Sequence, residues 1–251
     1  MMMNTARRVP ARWVDDPRRT MSDHVSSEQH GAVRVVTIDD SKANALSFEI
    51  IAAIEAELDA AEADDATRAM VVAGRPGMFC AGFDLGVMRS GDPSAVVSLV
   101  AAGGALVTRF YGASIPVVGA ATGHALAAGA LMLLGCDHRV GADAAVKIGL
   151  NEVAIGMVLP DWAFAIAEDR LAITHLQSAV ANAHVYDGVG AVAAGFLDEA
   201  VEPERVVEVA IERATALAEL HPGAYVGTIK VLRSSVIERM QAPDAGSIIV
   251  D

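Results

Sequence analysis

The strongest constraint on the fold lies in residues 33–73. A β-branched run at 33–38 (VRVVTI) ends in Asp39-Asp40-Ser41, and a run that is apolar throughout follows at 69–73 (AMVVA). The first reads as a strand and then a loop, the second as a short strand covered on both faces. Between them Ile50, Ile51, Ile54 and Leu58 recur at three- and four-residue spacing, while Glu49, Glu55, Glu57, Asp59 and Glu62 fill the other face. That spacing is helical, with Ser47 as its N-cap. Strand, helix, strand in this order implies a right-handed crossover, so the chain is α/β.

The alternation continues along the sequence. Turn chemistry at Gly74-Arg75-Pro76-Gly77 leads into Met78-Phe79-Cys80-Ala81-Gly82-Phe83-Asp84-Leu85, and a helix is expected over residues 93–111. Strands are expected at 116–121 and 138–142, with a helix at 128–134 between them. Helices over 161–187 would bury Trp162, Phe164, Ile166, Leu171 and Leu176. A short strand at 196–201 precedes terminal helices from 203 to about 240, with Val206, Val209 and Leu217 as their apolar stripe. The division is therefore an N-terminal extension at 1–29, a core at 30–202 and a C-terminal helical region at 203–251. Residues 1–29 hold five arginines and lack both sustained periodicity and a long apolar segment, so a disordered tail is expected there rather than a signal peptide, with Met21 as an alternative start.

Composition narrows the function. A chain that is 53% apolar is not disordered, and 19 cationic against 32 acidic side chains give a net charge of -13. That balance argues against nucleic acid as a partner, because phosphate backbones are held by dense Lys and Arg. Cys80 and Cys136 each sit in an apolar stretch, as reduced buried thiols would, and a cytoplasmic location is expected. Residues 115–136 carry only His124 as an ionisable group over a length that could span a bilayer. Pro116, Gly119, Thr122-Gly123-His124 and Gly129 break that run into a strand, a turn and a small-residue helix, so no membrane span is expected.

Two loops have small residues where backbone must come close to a ligand. One is Cys80-Ala81-Gly82-Phe83-Asp84-Leu85; the other, Gly123-His124-Ala125-Leu126-Ala127-Ala128-Gly129, leads straight into a helix. Amides at a helix start lack partners and sit at the positive end of the macrodipole, where they can stabilise a developing oxyanion.

These loops, in this order and separation, resemble the crotonase (enoyl-CoA hydratase/isomerase) superfamily over about residues 31–240. The resemblance is also carried by Ser41-Lys42-Ala43-Asn44-Ala45-Leu46-Ser47, Cys136-Asp137-His138-Arg139-Val140, Gly149-Leu150-Asn151-Glu152-Val153-Ala154-Ile155-Gly156 and Ala193-Ala194-Gly195-Phe196-Leu197-Asp198. It implies a spiral of β-β-α turns, trimers or dimers of trimers built through the C-terminal helices, and coenzyme A thioesters as substrates. It implies no metal and no cofactor, coenzyme A being part of the substrate. Two main-chain amides polarise the thioester carbonyl in this family, and they fall here at Phe83 and Ala128, each worth about 3 kcal/mol. Substrate contacts fall at Lys42, Ala43 and Ala45, at Ala81, Gly82, Asp84 and Leu85, at Gly129 and Leu131, and at Asn151 and Pro160.

The departures from the family pattern bear on the reaction. Many hydratases carry Gly-Gly-Gly-x-Glu where this chain reads Ala127-Ala128-Gly129-Ala130-Leu131, so one of two family carboxylates is missing. The other is present as Glu152. Hydration needs a water oriented by both carboxylates, whereas one carboxylate can shift a double bond by moving a proton from C2 to C4. Isomerisation is therefore the favoured expectation, with 2-enoyl hydration or acyl-CoA binding without turnover as alternatives. Burial near Leu131 would raise the Glu152 pKa. Asp161 is expected to cap the helix that begins at Trp162, the other reading being a second pocket carboxylate. His124 is expected in a structural hydrogen bond, and Cys80 in core packing. Lys42, Arg75 and Lys230 are the cations that could meet the nucleotide. The acyl tail would lie near Leu85, Met88 and the 93–111 helix, whose Gly103-Gly104 pair points to mobility.

Overall fold

The computed structural model describes residues 24–243. Strands β1 (Val25–His30) and β2 (Val33–Ile38) form an antiparallel hairpin, turning at Gly31 with φ of 60°. The hairpin corrects the expected extension: residues 25–29 pair along β2 with Val25 and Ser27 buried, and of that extension residues 1–23 lie outside the described residues. Helix α1 (Phe48–Ala63) follows, its Ser47 cap accepting from the Ile50 amide at 3.2 Å. Glu57, placed by periodicity on the polar face, is instead buried and paired with Arg34 of β2 at 2.7 Å.

Strand β3 (Ala69–Gly74) runs directly into a short strand β4 (Gly77–Cys80), and helices α2 (Leu85–Met88) and α3 (Pro93–Tyr111) come next. The same pattern then recurs twice. Strand β5 (Val117–Ala121) passes into β6 (Gly123–Leu126) and helix α4 (Ala128–Leu134); β7 (His138–Ala142) passes into β8 (Ile148–Gly149) and, after a 3-10 turn, helix α5 (Asp161–Arg170). Helices α6 (Ile173–Val180) and α7 (Gly188–Ala194), strand β9 (Glu199–Val201), and helices α8 (Val206–Ala218) and α9 (Pro222–Met240) complete the described chain. One sheet has the order β1-β2-β3-β5-β7-β9, parallel except for the hairpin, and the other the order β4-β6-β8. This is the spiral of β-β-α turns.

The continuous apolar runs in β2, β3 and β5 follow from burial on both faces. Val35, Val71 and Val118 pack with Val206, Val209 and Ala210 of α8, while Val36, Val72 and Val117 face the larger core of α1, α3 and α4. Residues 115–136 divide into β5, β6 and α4, as their glycines require. Helix α3 is long and apolar enough to cross a membrane, yet Val96, Leu99, Val100, Leu106 and Phe110 pack into the core. Helix α9 docks through buried Arg233, which donates to Asp137 Oδ1 at 2.9 Å and to the Tyr111 carbonyl at 2.7 Å.

Three further expectations are corrected. Residues 181–187 are not helical, because Tyr186 bridges to Ile148 and Asp187 caps α7. Phe164 is exposed and Leu176 half-buried. The strand expected at 196–201 is only Glu199–Val201, since Phe196 and Leu197 amides turn back to the Ala191 carbonyl.

Candidate active site

The first wall of the site is the loop that leaves β4. Ala81 donates to the Ala43 carbonyl at 3.0 Å, Leu46 donates to the Gly82 carbonyl at 2.8 Å, and Asp84 donates to the Leu46 carbonyl at 3.0 Å. The Gly82 carbonyl and the Phe83 N–H belong to one trans peptide plane and point oppositely. Anchoring the carbonyl on Leu46 therefore aims the Phe83 amide away from that segment. Asp84 then caps α2, accepting from the Val87 amide at 3.0 Å.

Asn44 holds the partner loop in place. Buried, with φ of 50°, it donates from Nδ2 to the Ile38 carbonyl at 2.8 Å and accepts at Oδ1 from the Asp40 amide at 3.0 Å. Sequence reasoning gave Asn44 no role of its own. The clue was its type: asparagine tolerates a left-handed backbone and can bridge donors and acceptors at once.

The second wall is the start of α4. Ala127 precedes it with φ of 50° and ψ of -123°, a conformation suited to glycine, and its amide donates to the Gly149 carbonyl at 3.0 Å. The two walls touch. A Cβ built on Gly82 would lie 3.2 Å from Ala127 Cβ and 3.9 Å from the Ala128 amide nitrogen, and one on Gly129 would lie 2.3 Å from the Cys80 carbonyl oxygen. Among the described residues, neither the Phe83 nor the Ala128 amide donates to a backbone carbonyl.

The strained Ala127 yields a stability prediction. A non-glycine residue there costs on the order of 1–3 kcal/mol, and glycine returns part of that gain through unfolded-chain entropy. Ala127→Gly should therefore stabilise the protein by about 1 kcal/mol, read as a higher denaturant midpoint. An unchanged or lower midpoint would show that the strain is absent.

The third element comes from β8. Since Ala125 and Leu126 pair with Ile148 and Gly149, the chain from β8 brings Asn151 and Glu152 alongside the α4 start. Glu152 is 6% exposed, its Oε2 has no hydrogen-bond partner, and burial pushes its pKa up to about 7 against the opposing pull of its own amide. Among the described residues the other buried carboxylate is Glu57, already neutralised by Arg34. Leu131, where the second family carboxylate would stand, is buried.

The remaining sequence-derived residues are placed as follows. Asn151 and Pro160 are half-buried, and the Asn151 Oδ1 is unpartnered. Pro160 occupies the cap position of α5, so Asp161 is corrected from cap to first helical residue, exposed at the positive end of the helix. Lys42 is exposed, and the half-buried Arg75 donates from Nη2 to the Lys42 carbonyl. Ala43 and Ala45 are half-buried beside them, Leu85 is exposed, and Lys230 lies exposed on α9. His124 Nδ1 accepts from the Lys147 amide at 2.9 Å, a structural bond as expected. Cys80 and Cys136 are free and buried, and burial pushes both thiols up to about 12, so neither is a ready nucleophile.

Gly103 and Gly104 are not a loose spot. A Cβ on Gly103 would fall 2.4 Å from Phe83 Cε1, and one on Gly104 would fall 2.8 Å from the Trp162 ring, so both glycines are notches for aromatic side chains. An open concavity of about 360 Å³ lined by Leu126, Lys147, Asn151 and Tyr186 lies next to the site, but Phe83, Ala128 and Glu152 do not line it. Among the described residues no group of three His, Cys, Asp or Glu side chains could hold a metal.

With this geometry in hand, residues 28–244 match the family model described as enoyl-CoA hydratase/isomerase. A solved enoyl-CoA hydratase, EchA3, from Mycobacterium ulcerans is 37% identical with a TM-score of 0.83, covering 86% of this chain and 94% of that one. A solved Mycobacterium tuberculosis protein, named an enoyl-CoA isomerase in one structure and a probable enoyl-CoA hydratase, EchA3, in another, is 38% identical with a TM-score of 0.83 in the first, which covers 88% of this chain and 96% of that one. The rat mitochondrial enoyl-CoA delta isomerase 1 is 29% identical over 197 residues, covering 77% of this chain and 68% of its own. Hydratases and isomerases thus stand side by side among the similar proteins.

Proposed function

The chain belongs to the enoyl-CoA hydratase/isomerase family, and from that premise we propose that it moves the double bond of a 3-enoyl coenzyme A thioester to the 2 position, with Glu152 as its sole acid and base. The observation that supports this is Glu152 itself: a buried carboxylate with a free oxygen, no cation beside it among the described residues, and apolar Leu131 at the position of the missing partner. The ionised carboxylate removes a proton from C2. The electron pair moves onto the thioester oxygen as a dienolate, held by the amides of Phe83 and Ala128. The protonated Glu152 then delivers the proton to C4, the 2-enoyl thioester forms, and the carboxylate is regenerated. No water or added cofactor enters the balance, since coenzyme A arrives with the substrate.

The family resemblance also supports a homotrimer or dimer of trimers, and a cytoplasmic location fits the reduced thiols. Exposed apolar side chains at Val153, Ile155 and Val158, directly after Glu152, are ones that a second copy could cover.

The test is direct assay. Purified protein incubated with 3-enoyl thioesters of several lengths should raise the absorbance of the conjugated enoyl group, with little change on 2-enoyl substrates. Loss of that absorbance from 2-enoyl thioesters as the dominant activity would make it a hydratase. Binding without change in either would make it an acyl-CoA carrier.

A further inference from the structure

We propose that Gly103 of α3 is a positioning residue for the Phe83 amide: its missing side chain seats the Phe83 ring, and that seat fixes the direction of the N–H. The inference rests on the reading of this amide as an oxyanion donor. A Cβ on buried Gly103 would lie 2.4 Å from Cε1 and 2.6 Å from Cζ of Phe83, so ring and helix are in direct contact where any larger residue would intrude. The ring also packs against the main core cluster.

The backbone on either side of Phe83 has little slack. Gly82 and Asp84 are both hydrogen-bonded to Leu46, and Asp84 caps α2. A displaced ring is accommodated first at χ1 and χ2 of Phe83, which its packing against the core cluster restricts, and then at the backbone torsions around residue 83. The softest of these belong to Gly82, at φ of 108°, where glycine meets little steric resistance. Rotation there tilts the very peptide plane that carries the Phe83 N–H. An oxyanion donor acts through its direction, so a small tilt weakens the transition state more than it weakens binding.

Gly104 provides the internal control. It lies on the same helix, but the three atoms nearest a Cβ there, at 2.8–2.9 Å, all belong to the Trp162 ring rather than to Phe83. Both alanine substitutions strain the seat of α3, and only the one at 103 pushes on the oxyanion loop.

The experiment is a double-mutant cycle on the full-length protein with a 3-enoyl thioester, joined to selective 15N-phenylalanine labelling. Gly103→Ala should lower kcat about 10-fold with KM within about 2-fold, and Gly104→Ala should spare kcat by comparison. In a Phe83→Ala background, where the ring is gone and the amide remains, Gly103→Ala should have no further effect on kcat. The Phe83 amide resonance should shift more in Gly103→Ala than in Gly104→Ala. Equal losses of kcat from the two glycine variants, or an undiminished effect of Gly103→Ala without the ring, overturns the proposal. A shifted amide in a protein whose wild type leaves 3-enoyl thioesters unchanged would retain the positioning and reject the isomerase reading instead.

Discussion

Glu152→Gln should lower turnover of a 3-enoyl thioester by about 1,000-fold, within the 10²–10⁴ range that positioned acid–base groups supply. The amide keeps the size and polarity of the carboxyl but can neither take nor return a proton, so KM should change little. In the wild type, activity should fall as pH drops below about 7, because burial holds the Glu152 pKa there and the protonated form cannot act as base. Stability should run the other way. A carboxyl raised from 4.5 to about 7 binds more protons in the folded than in the unfolded chain between those values. The fold is therefore least burdened below pH 4.5 and loses up to about 3 kcal/mol from this group as pH rises through 7. Glu152→Gln should remove that component of the pH dependence while abolishing activity. Retained wild-type turnover, or a pH–stability profile unchanged by the substitution, would falsify the assignment of Glu152.

How far the sequence disclosed this arrangement depended on segment length and on which atoms do the work. The β2, α3, α4 and β7 boundaries are legible because long apolar or periodic runs end at glycine, proline or aspartate. The second sheet is not legible, since β4, β6 and β8 have between two and four residues and cannot display an alternating pattern. Strand β1 reads VSSEQH, a polar edge whose only strong apolar residue is Val25, and its pairing comes from the hairpin rather than from propensity. At the site, Glu152 is visible as a side chain in a family motif. The amides proposed as donors, those of Phe83 and Ala128, are main-chain groups, and any residue but proline would supply them. The loops that carry them are held by the Asn44 side chain and by main-chain bonds of Leu46 and Gly149, and those main-chain bonds leave no signature in composition. Gly103-Gly104 shows the opposite error: glycines that look like flexibility are the places where two rings enter a helix surface.

Gly129→Ala should be severely damaging, against the trend that alanine is worth about 1 kcal/mol more than glycine inside a helix. Propensity and packing make opposite predictions here, so the sign of the effect decides between them. A Cβ at 129 would sit 2.3 Å from the Cys80 carbonyl oxygen and 2.8 Å from Cys80 Cβ, distances at which backbone must move. Neither side can easily retreat. Cys80 pairs with Ala125 in the second sheet, and the start of α4 is tied to Gly149 through Ala127. Overpacking of this kind costs on the order of 1–3 kcal/mol or more. The displacement also separates the two loops that carry the unpartnered amides, so kcat/KM should fall by about 100-fold or more, the loss expected of one oxyanion donor. This explains why Ala127-Ala128-Gly129 keeps its glycine only at the third position: residue 127 can bear a strained backbone, while residue 129 has no space for a methyl group. A Gly129→Ala protein with an unchanged denaturant midpoint and normal kcat/KM would mean that the two walls are not in contact, and the oxyanion site would lose its geometric basis.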